Sequence, residues 1–172
     1  GLNWGHEIEH KCDLIIREKT YKQRHFFYTA SFHNTENGEA LSKIKVPTNV
    51  KIFADAAINV IIKKFAGIEL GKIRLVSAPA RKHKENNFTE MVCDAVAREI
   101  GVKYEKDLIK LIKKDRFHPV FCLTDTVSEE YIVLYDDIVT TGKTIMELYR
   151  LFDGAKKVIV VVGIENDRPI KV

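Results

Sequence analysis

Four apolar residues, Ile132-Val133-Leu134-Tyr135, run directly into Asp136 and Asp137, and Ile138-Val139 then lead into Thr140-Thr141-Gly142-Lys143-Thr144. No other stretch constrains the fold as tightly. The apolar run over Tyr131–Tyr135 reads as a buried strand ending at the two carboxylates, and Thr144–Phe152 has the apolar spacing of a helix. The polar segment between them is then a strand-to-helix loop. A helix start presents unpaired N–H groups and the positive end of its dipole. Gly142 lets the backbone come close to a ligand, and the threonine hydroxyls add donors. Together these make a socket for a phosphate group. The adjacent carboxylates would repel a second phosphate and suit vicinal hydroxyls instead. One phosphate beside two hydroxyls describes a ribose 5-phosphate.

Gly142-Lys143-Thr144 also matches the tail of a Walker A loop. That motif needs a glycine five positions earlier. Asp137 stands there, and its charge would face a triphosphate, so the Walker reading fails.

The rest of the chain supports a strand–helix alternation. Phe53–Phe65 carries Phe53, Ala56, Ala57, Val60 and Ile61 at helical spacing. Ile73–Ser77 is a short buried strand. Asn87 or Thr89 caps a helix over Glu90–Ile100 that stops at Gly101, Leu108–Ile112 is a short apolar stretch, and Lys157–Ile164 is a further strand. Such interleaving predicts an α/β fold, a parallel sheet with helices on both faces. Ligands in these sheets sit at the carboxyl ends of the strands, which draws attention to the loops after Ser77 and Tyr135. Before residue 50 the pattern differs. Asp13–Arg17, His25–His33 and Leu41–Val46 look like short strands separated by Asn34 and Asn37-Gly38, which predicts a small antiparallel cap. The expected division is therefore 1–50 and 51–172.

The chain has 172 residues, enough for a core without staples; 45% are hydrophobic and 30% charged, which excludes a disordered segment. The net charge of +4 comes from cations spread along the chain, so it argues little for nucleic-acid binding. Cys12, Cys93 and Cys122 are widely spaced and odd in number, which reads as reduced thiols and a cytoplasmic setting. No apolar run is long enough for a bilayer, and the N-terminus lacks a signal-peptide layout. His6-Glu7-Ile8-Glu9-His10 matches H-E-x-x-H, a zinc motif when carried on a buried helix. At the extreme N-terminus, without an amphipathic helix around it, the context is poor.

The loop after the first core strand, Ser77-Ala78-Pro79-Ala80-Arg81-Lys82, combines a stiff turn with cations, and Lys84 adds another. Cations placed there would stabilise a leaving group rich in negative charge. Read alone, the same residues would be a solvated basic turn.

The thirteen residues Ile132–Thr144 resemble the signature of the type I phosphoribosyltransferases. The resemblance implies a Rossmann-like parallel sheet flanked by helices, with residues 1–50 as an N-terminal antiparallel β hood. It implies that 5-phosphoribosyl-1-pyrophosphate is bound and that its phosphoribosyl group passes to a nitrogenous base or amine. Asp136 and Asp137 would hold the ribose hydroxyls, and Thr140, Thr141, Gly142, Lys143 and Thr144 would wrap the 5-phosphate. Ala78, Pro79, Ala80, Arg81 and Lys82 would form the pyrophosphate loop, with Arg81 beside the acid pair as a catalytic residue. Magnesium (Mg2+) would be held through substrate and water, without direct protein ligands. A homodimer is one candidate assembly.

Residues 79–101 resemble the ComF branch in their order of a Pro-containing loop, a basic stretch and Asn87-Phe88-Thr89-Glu90 opening a helix. That likeness implies an alternative, a protein that binds the sugar phosphate without turnover and serves DNA uptake or metabolism. The zinc ribbon common in that branch is missing. A mobile loop is implied between Lys103 and Glu130, with Lys110, Lys113, Lys114, Asp115, Arg116 and His118 as its charged residues. Hypoxanthine-type enzymes carry an Asp three positions after the second acid. Thr140 stands there, which argues against a 6-oxopurine acceptor. Phe26, Phe27, Tyr28 and Phe32 could stack on a base, but their alternation fits core packing better.

Overall fold

A computed structural model describes residues 15–21, 24–34, 44–79, 87–113, 119–139 and 142–166, with side chains from residue 44 to residue 165. One six-stranded sheet organises the chain. Its strands are β1 (Ile15–Tyr21), β2 (Arg24–Asn34), β3 (Ile73–Ser77), β4 (Lys103–Tyr104), β7 (Tyr131–Val139) and β8 (Lys157–Asn166), in the spatial order β1-β2-β8-β7-β3-β4. The pairs β2–β8, β8–β7, β7–β3 and β3–β4 are parallel, and β1–β2 is antiparallel. A separate antiparallel hairpin joins β5 (Ile109–Lys113) to β6 (Val120–Leu123). This α/β architecture is the one the alternation of apolar runs predicts.

Helices cover both faces. On one side lie α1 (Val50–Lys64) and α2 (Phe88–Ile100). Phe53, Ala56, Ala57, Val60 and Ile61 of α1 and Val92, Cys93 and Val96 of α2 share a core with Ile73, Leu75, Val133, Tyr135, Ile159 and Val161 of the sheet. The rings of Phe53 and Phe88 meet edge to face at 5.1 Å, locking the two helices where α2 begins. On the other side α3 (Lys143–Arg150) presents Ile145, Leu148 and Tyr149. They pack with Leu108, Ile109, Ile132, Leu134, Val158, Val160 and Val162. Central strands buried on both faces explain the continuous apolar runs Ile132–Tyr135 and Val158–Val162.

Several details differ from the expectation. The N-terminal antiparallel pair is present, but β2 also pairs with β8 from Phe27↔Ile159 to Asn34↔Asn166, so the pair prolongs the core sheet. Ile44–Val46 is not a strand. The Ile44 carbonyl accepts from the Val46 amide at 2.9 Å and from Asn49 Nδ2 at 2.8 Å, and Pro47 opens a short 3-10 turn into α1. These local bonds use the groups a ladder would need. Most consequentially, β7 does not end at Tyr135. It continues through Asp136 and Asp137 to Val139, paired with β8 up to Val139↔Glu165.

Candidate functional site

Position along the strand would ordinarily send Asp136 and Asp137 to opposite faces of the sheet. The alternation slips at this point. On β7, Val133 and Tyr135 enter the α1–α2 core, yet Ile138 packs against that core and Val139 enters the other. On β8, Ile159 and Val161 lie in the α1–α2 core, and Ile164 joins them in place of Gly163. Gly163 lies against Asp137, and a Cβ there would stand 2.9 Å from the Asp137 carbonyl, from Phe53 Cδ1 and from Tyr135 Oη. Only a residue without a side chain permits that approach. Past the slip both aspartates are half-buried, and the charge of Asp137 acts directly on Asp136.

Burial, and then the charge of Asp137, push Asp136 well above the usual carboxylate range. The charge of Lys45 opposes this shift. Lys45 Nζ lies 2.8 Å from Asp137 Oδ2 and comes from the turn ahead of α1. Behind the pair, the Cys93 thiol and the Tyr135 hydroxyl are raised, first by burial and then by neighbouring negative charges that include both aspartates. The pair is thus half-buried, with the Lys45 ammonium on Asp137 and the neutral Cys93 and Tyr135 behind it.

The phosphate end of the site is α3. Gly142 precedes it at φ 80°, a left-handed conformation in which glycine meets no steric penalty, and no side chain among the described residues caps the first turn. By contrast, Asn87 Oδ1 caps α2, accepting from the Glu90 amide at 2.7 Å. The first-turn N–H groups of α3 therefore lack a side-chain cap and point to where the loop from Val139 arrives. Lys143 is exposed and Thr144 half-buried.

The loop after β3 lies next to the acid pair. The Ala78 amide donates to the Tyr135 carbonyl at 2.8 Å, which fixes the start of that loop one residue before Asp136. Ser77 Oγ and Tyr104 Oη, 2.9 Å apart, hold its other flank. Ala78 is buried and Pro79 half-buried. The two loops singled out by the sequence therefore meet at the carboxyl edge of the sheet. Ala80, Arg81, Lys82 and Lys84, and also Thr140 and Thr141, lie outside the described residues, as does His6–His10. The segment read as a mobile loop contains the β5–β6 hairpin, whose residues 114–118 are likewise outside. Lys45 is the participant that sequence reasoning missed. No local pattern marks it, since it reaches Asp137 through the fold alone.

For a divalent ion, the hard oxygen donors near α3 are the two aspartates. Among the described residues, no three His, Cys, Asp or Glu side chains converge on one point. A single carboxyl pair fits an ion that arrives with substrate phosphates and keeps much of its water. Among the described residues, no helix is long and apolar enough to cross a membrane.

No protein-family model and no curated protein matches the sequence. Solved structures do match the fold. An adenine phosphoribosyltransferase crystal structure superposes with a TM-score of 0.56 at 13% identity, over 96% of this chain and 91% of that one. The adenine phosphoribosyltransferase of Saccharomyces cerevisiae, complexed with an imino-altritol bisphosphate and adenine, superposes at 0.54 and 11% identity, over 94% and 88%. The chain has the type I phosphoribosyltransferase fold. At such identities the likeness speaks for the fold alone. Within that fold, the acid pair lies at the carboxyl end of the central strand β7, the edge where open α/β sheets hold their ligands.

Proposed function

We propose that this protein is a phosphoribosyltransferase that binds 5-phosphoribosyl-1-pyrophosphate and transfers the phosphoribosyl group to a nitrogen acceptor. The observation that carries this reading is the half-buried pair Asp136 and Asp137 near the end of β7, with α3 opening at Lys143 just beyond that strand. The carboxylates accept the two ribose hydroxyls. Gly142, Lys143 and Thr144, with Thr140 and Thr141, take the 5-phosphate. Ala78 and Pro79 lead the pyrophosphate to Ala80, Arg81 and Lys82.

In the reaction the acceptor nitrogen forms a bond to the sugar C1 as the C1–O bond to pyrophosphate breaks. The bonding electrons leave with pyrophosphate, and the proton on nitrogen passes to solvent or a base. Magnesium, entering with the substrate, would neutralise the departing charge. The chain's part is to hold the sugar in line and place cations where charge develops. Two of the cysteines, Cys93 and Cys122, are free thiols, which supports a reducing, cytoplasmic setting.

The same site would serve a second reading, in which the sugar phosphate is bound without turnover. One experiment separates them. Protein, magnesium, 5-phosphoribosyl-1-pyrophosphate and a panel of bases and amines are incubated, and pyrophosphate release is followed alongside calorimetric binding. Release with at least one acceptor supports transfer, whereas binding without release under every acceptor leaves the sensor. Replacing Asp136 and Asp137 together by Asn should abolish binding in both cases, and retained affinity would refute the site.

A further inference from the structure

We infer that Gly163 is a positioning residue of the sugar-hydroxyl site: by carrying no side chain it lets Asp137 lean against β8, so that both aspartates serve one ligand edge. This inference rests on the proposed function and deepens it. Gly163 is buried within β8, between β2 and β7. Regular alternation after Ile159 and Val161 would put a side chain there into the α1–α2 core. The space is already taken, since the Asp137 carbonyl, Phe53 Cδ1 and Tyr135 Oη would each lie 2.9 Å from a Cβ. The backbone marks the same point. Toward β7 the register runs Asp136↔Val162 and then Ile138↔Ile164, and toward β2 it runs Ala30↔Val162 and then Phe32↔Ile164. Both ladders pass over Gly163. The Tyr135 hydroxyl is an independent sign. It borders the same clearing, is buried, and has no hydrogen-bond partner among the described residues. A buried phenol ordinarily finds a partner, and one left without marks a place where a site sets the packing.

A vicinal diol donates two hydrogen bonds and needs two acceptors on one side of the sheet. A regular strand sends neighbouring carboxyls to opposite faces. The departures from regularity coincide at Gly163, because Ile138 on β7 and Ile164 on β8 both turn to the α1–α2 core just beyond it. A Cβ at this position would meet three neighbours of different kinds. The Tyr135 and Phe53 side chains yield by swinging, whereas the Asp137 carbonyl is main chain and moves only with its residue. Any side chain at position 163 therefore displaces Asp137 itself, while Asp136 and the start of α3 stay in place. The diol loses one acceptor and the phosphate keeps its own. Gly163 thereby governs how well the site tells a ribose phosphate from a deoxyribose phosphate.

The test compares wild type, Gly163→Ala, and Gly163→Ala combined with Tyr135→Phe. Each is titrated with ribose 5-phosphate, 2-deoxyribose 5-phosphate and 3-deoxyribose 5-phosphate, with affinities read from backbone-amide shifts and melting temperatures measured alongside. Wild type should prefer ribose to each deoxy sugar by about tenfold, the worth of one hydrogen bond to a charged acceptor. Gly163→Ala should lose about tenfold in affinity for ribose 5-phosphate. It should lose its preference over the one deoxy sugar that lacks the hydroxyl held by Asp137, and keep its preference over the other. Adding Tyr135→Phe removes the oxygen that a Cβ would strike. It should raise the melting temperature and leave the preference lost, because the Asp137 carbonyl is still displaced. Preference retained against both deoxy sugars overturns the proposal. An equal loss for all three sugars, or a preference regained with Tyr135→Phe, assigns the effect to general packing and overturns it too. Should neither variant fold, wild type decides alone. The Gly163 amide must then shift further with ribose 5-phosphate than with at least one deoxy sugar, and equal shifts overturn the proposal. If wild type binds none of the sugars, the proposed function has failed and this inference with it. Binding with a ribose preference that Gly163→Ala leaves intact fails this inference alone.

Discussion

At the scale of single residues, the acid pair carries opposing demands. Asp136 is held up by burial and by Asp137. A carboxyl raised in the folded state contributes stability that is complete below its ordinary range and is lost as pH rises through the raised value. Wild type therefore gives up stability at this position as pH rises above the ordinary carboxyl range. Asp136→Asn cannot ionise and avoids the loss. Its melting temperature relative to wild type should climb as pH rises from the ordinary carboxyl range through the raised value of Asp136. Thermal unfolding across that range checks this, and a difference that stays flat or shrinks would refute it. The same substitution should weaken sugar binding, as expected where function retains a locally unfavourable group. Much of this site was legible beforehand, because the acid pair, the threonines and Gly142 are contiguous. The continuation of the strand past Tyr135 was not. Aspartates have low strand propensity, and pairing with β8 overrides that preference. Lys45 was illegible for a different reason, since its partner is distant along the chain.

Among the elements, β3 shows how a charge is kept inside a sheet. Arg74 is 2% exposed and spans Glu105 at 3.3 Å and Glu129 at 3.4 Å, and Lys103 adds a 3.3 Å contact to Glu129. The cluster joins β3, β4 and the approach to β7 near the strand starts, away from the acid pair. Burial raises Glu129, but a backbone hydrogen bond and the neighbouring Lys103 and Arg74 outweigh it and hold the carboxyl below its ordinary range. Its stabilisation is present above that range and fades as pH falls through the lowered value, the reverse of Asp136. Arg74→Ala leaves Glu129 with only the half-exposed Lys103 and should destabilise in urea unfolding, by less than the about 3–5 kcal/mol of a wholly uncompensated buried charge. Arg74→Met combined with Glu129→Gln should cost clearly less, because no uncompensated charge remains. Equal losses would show that packing, not charge, dominates. The strand Ile73–Ser77 was readable to its ends from its apolar residues, while the partners of Arg74 lie on other elements and carry no signal in the strand itself.

For the whole molecule, the decisive feature is the parallel pairing of β2 with β8. Sequence alternation marks residues 25–33 as a strand but is silent on its neighbour, which is why the first fifty residues read as a separate cap. Deleting residues 1–43 would leave β8 with an open edge of unpaired backbone groups. The remaining chain should lose solubility and cooperative unfolding, measured by sedimentation and circular dichroism. A soluble, cooperatively folded remainder would show that the sheet tolerates the loss. The pairing has a further consequence, in time. Strand β2 ends at Asn34 and β8 begins only at Lys157, far along the chain. The earlier one must wait, with its place in the sheet unfilled, until the later one has left the ribosome. Contacts of such long span slow folding and expose strand edges meanwhile. Until β8 pairs with it, β2 offers an open edge to non-native strands.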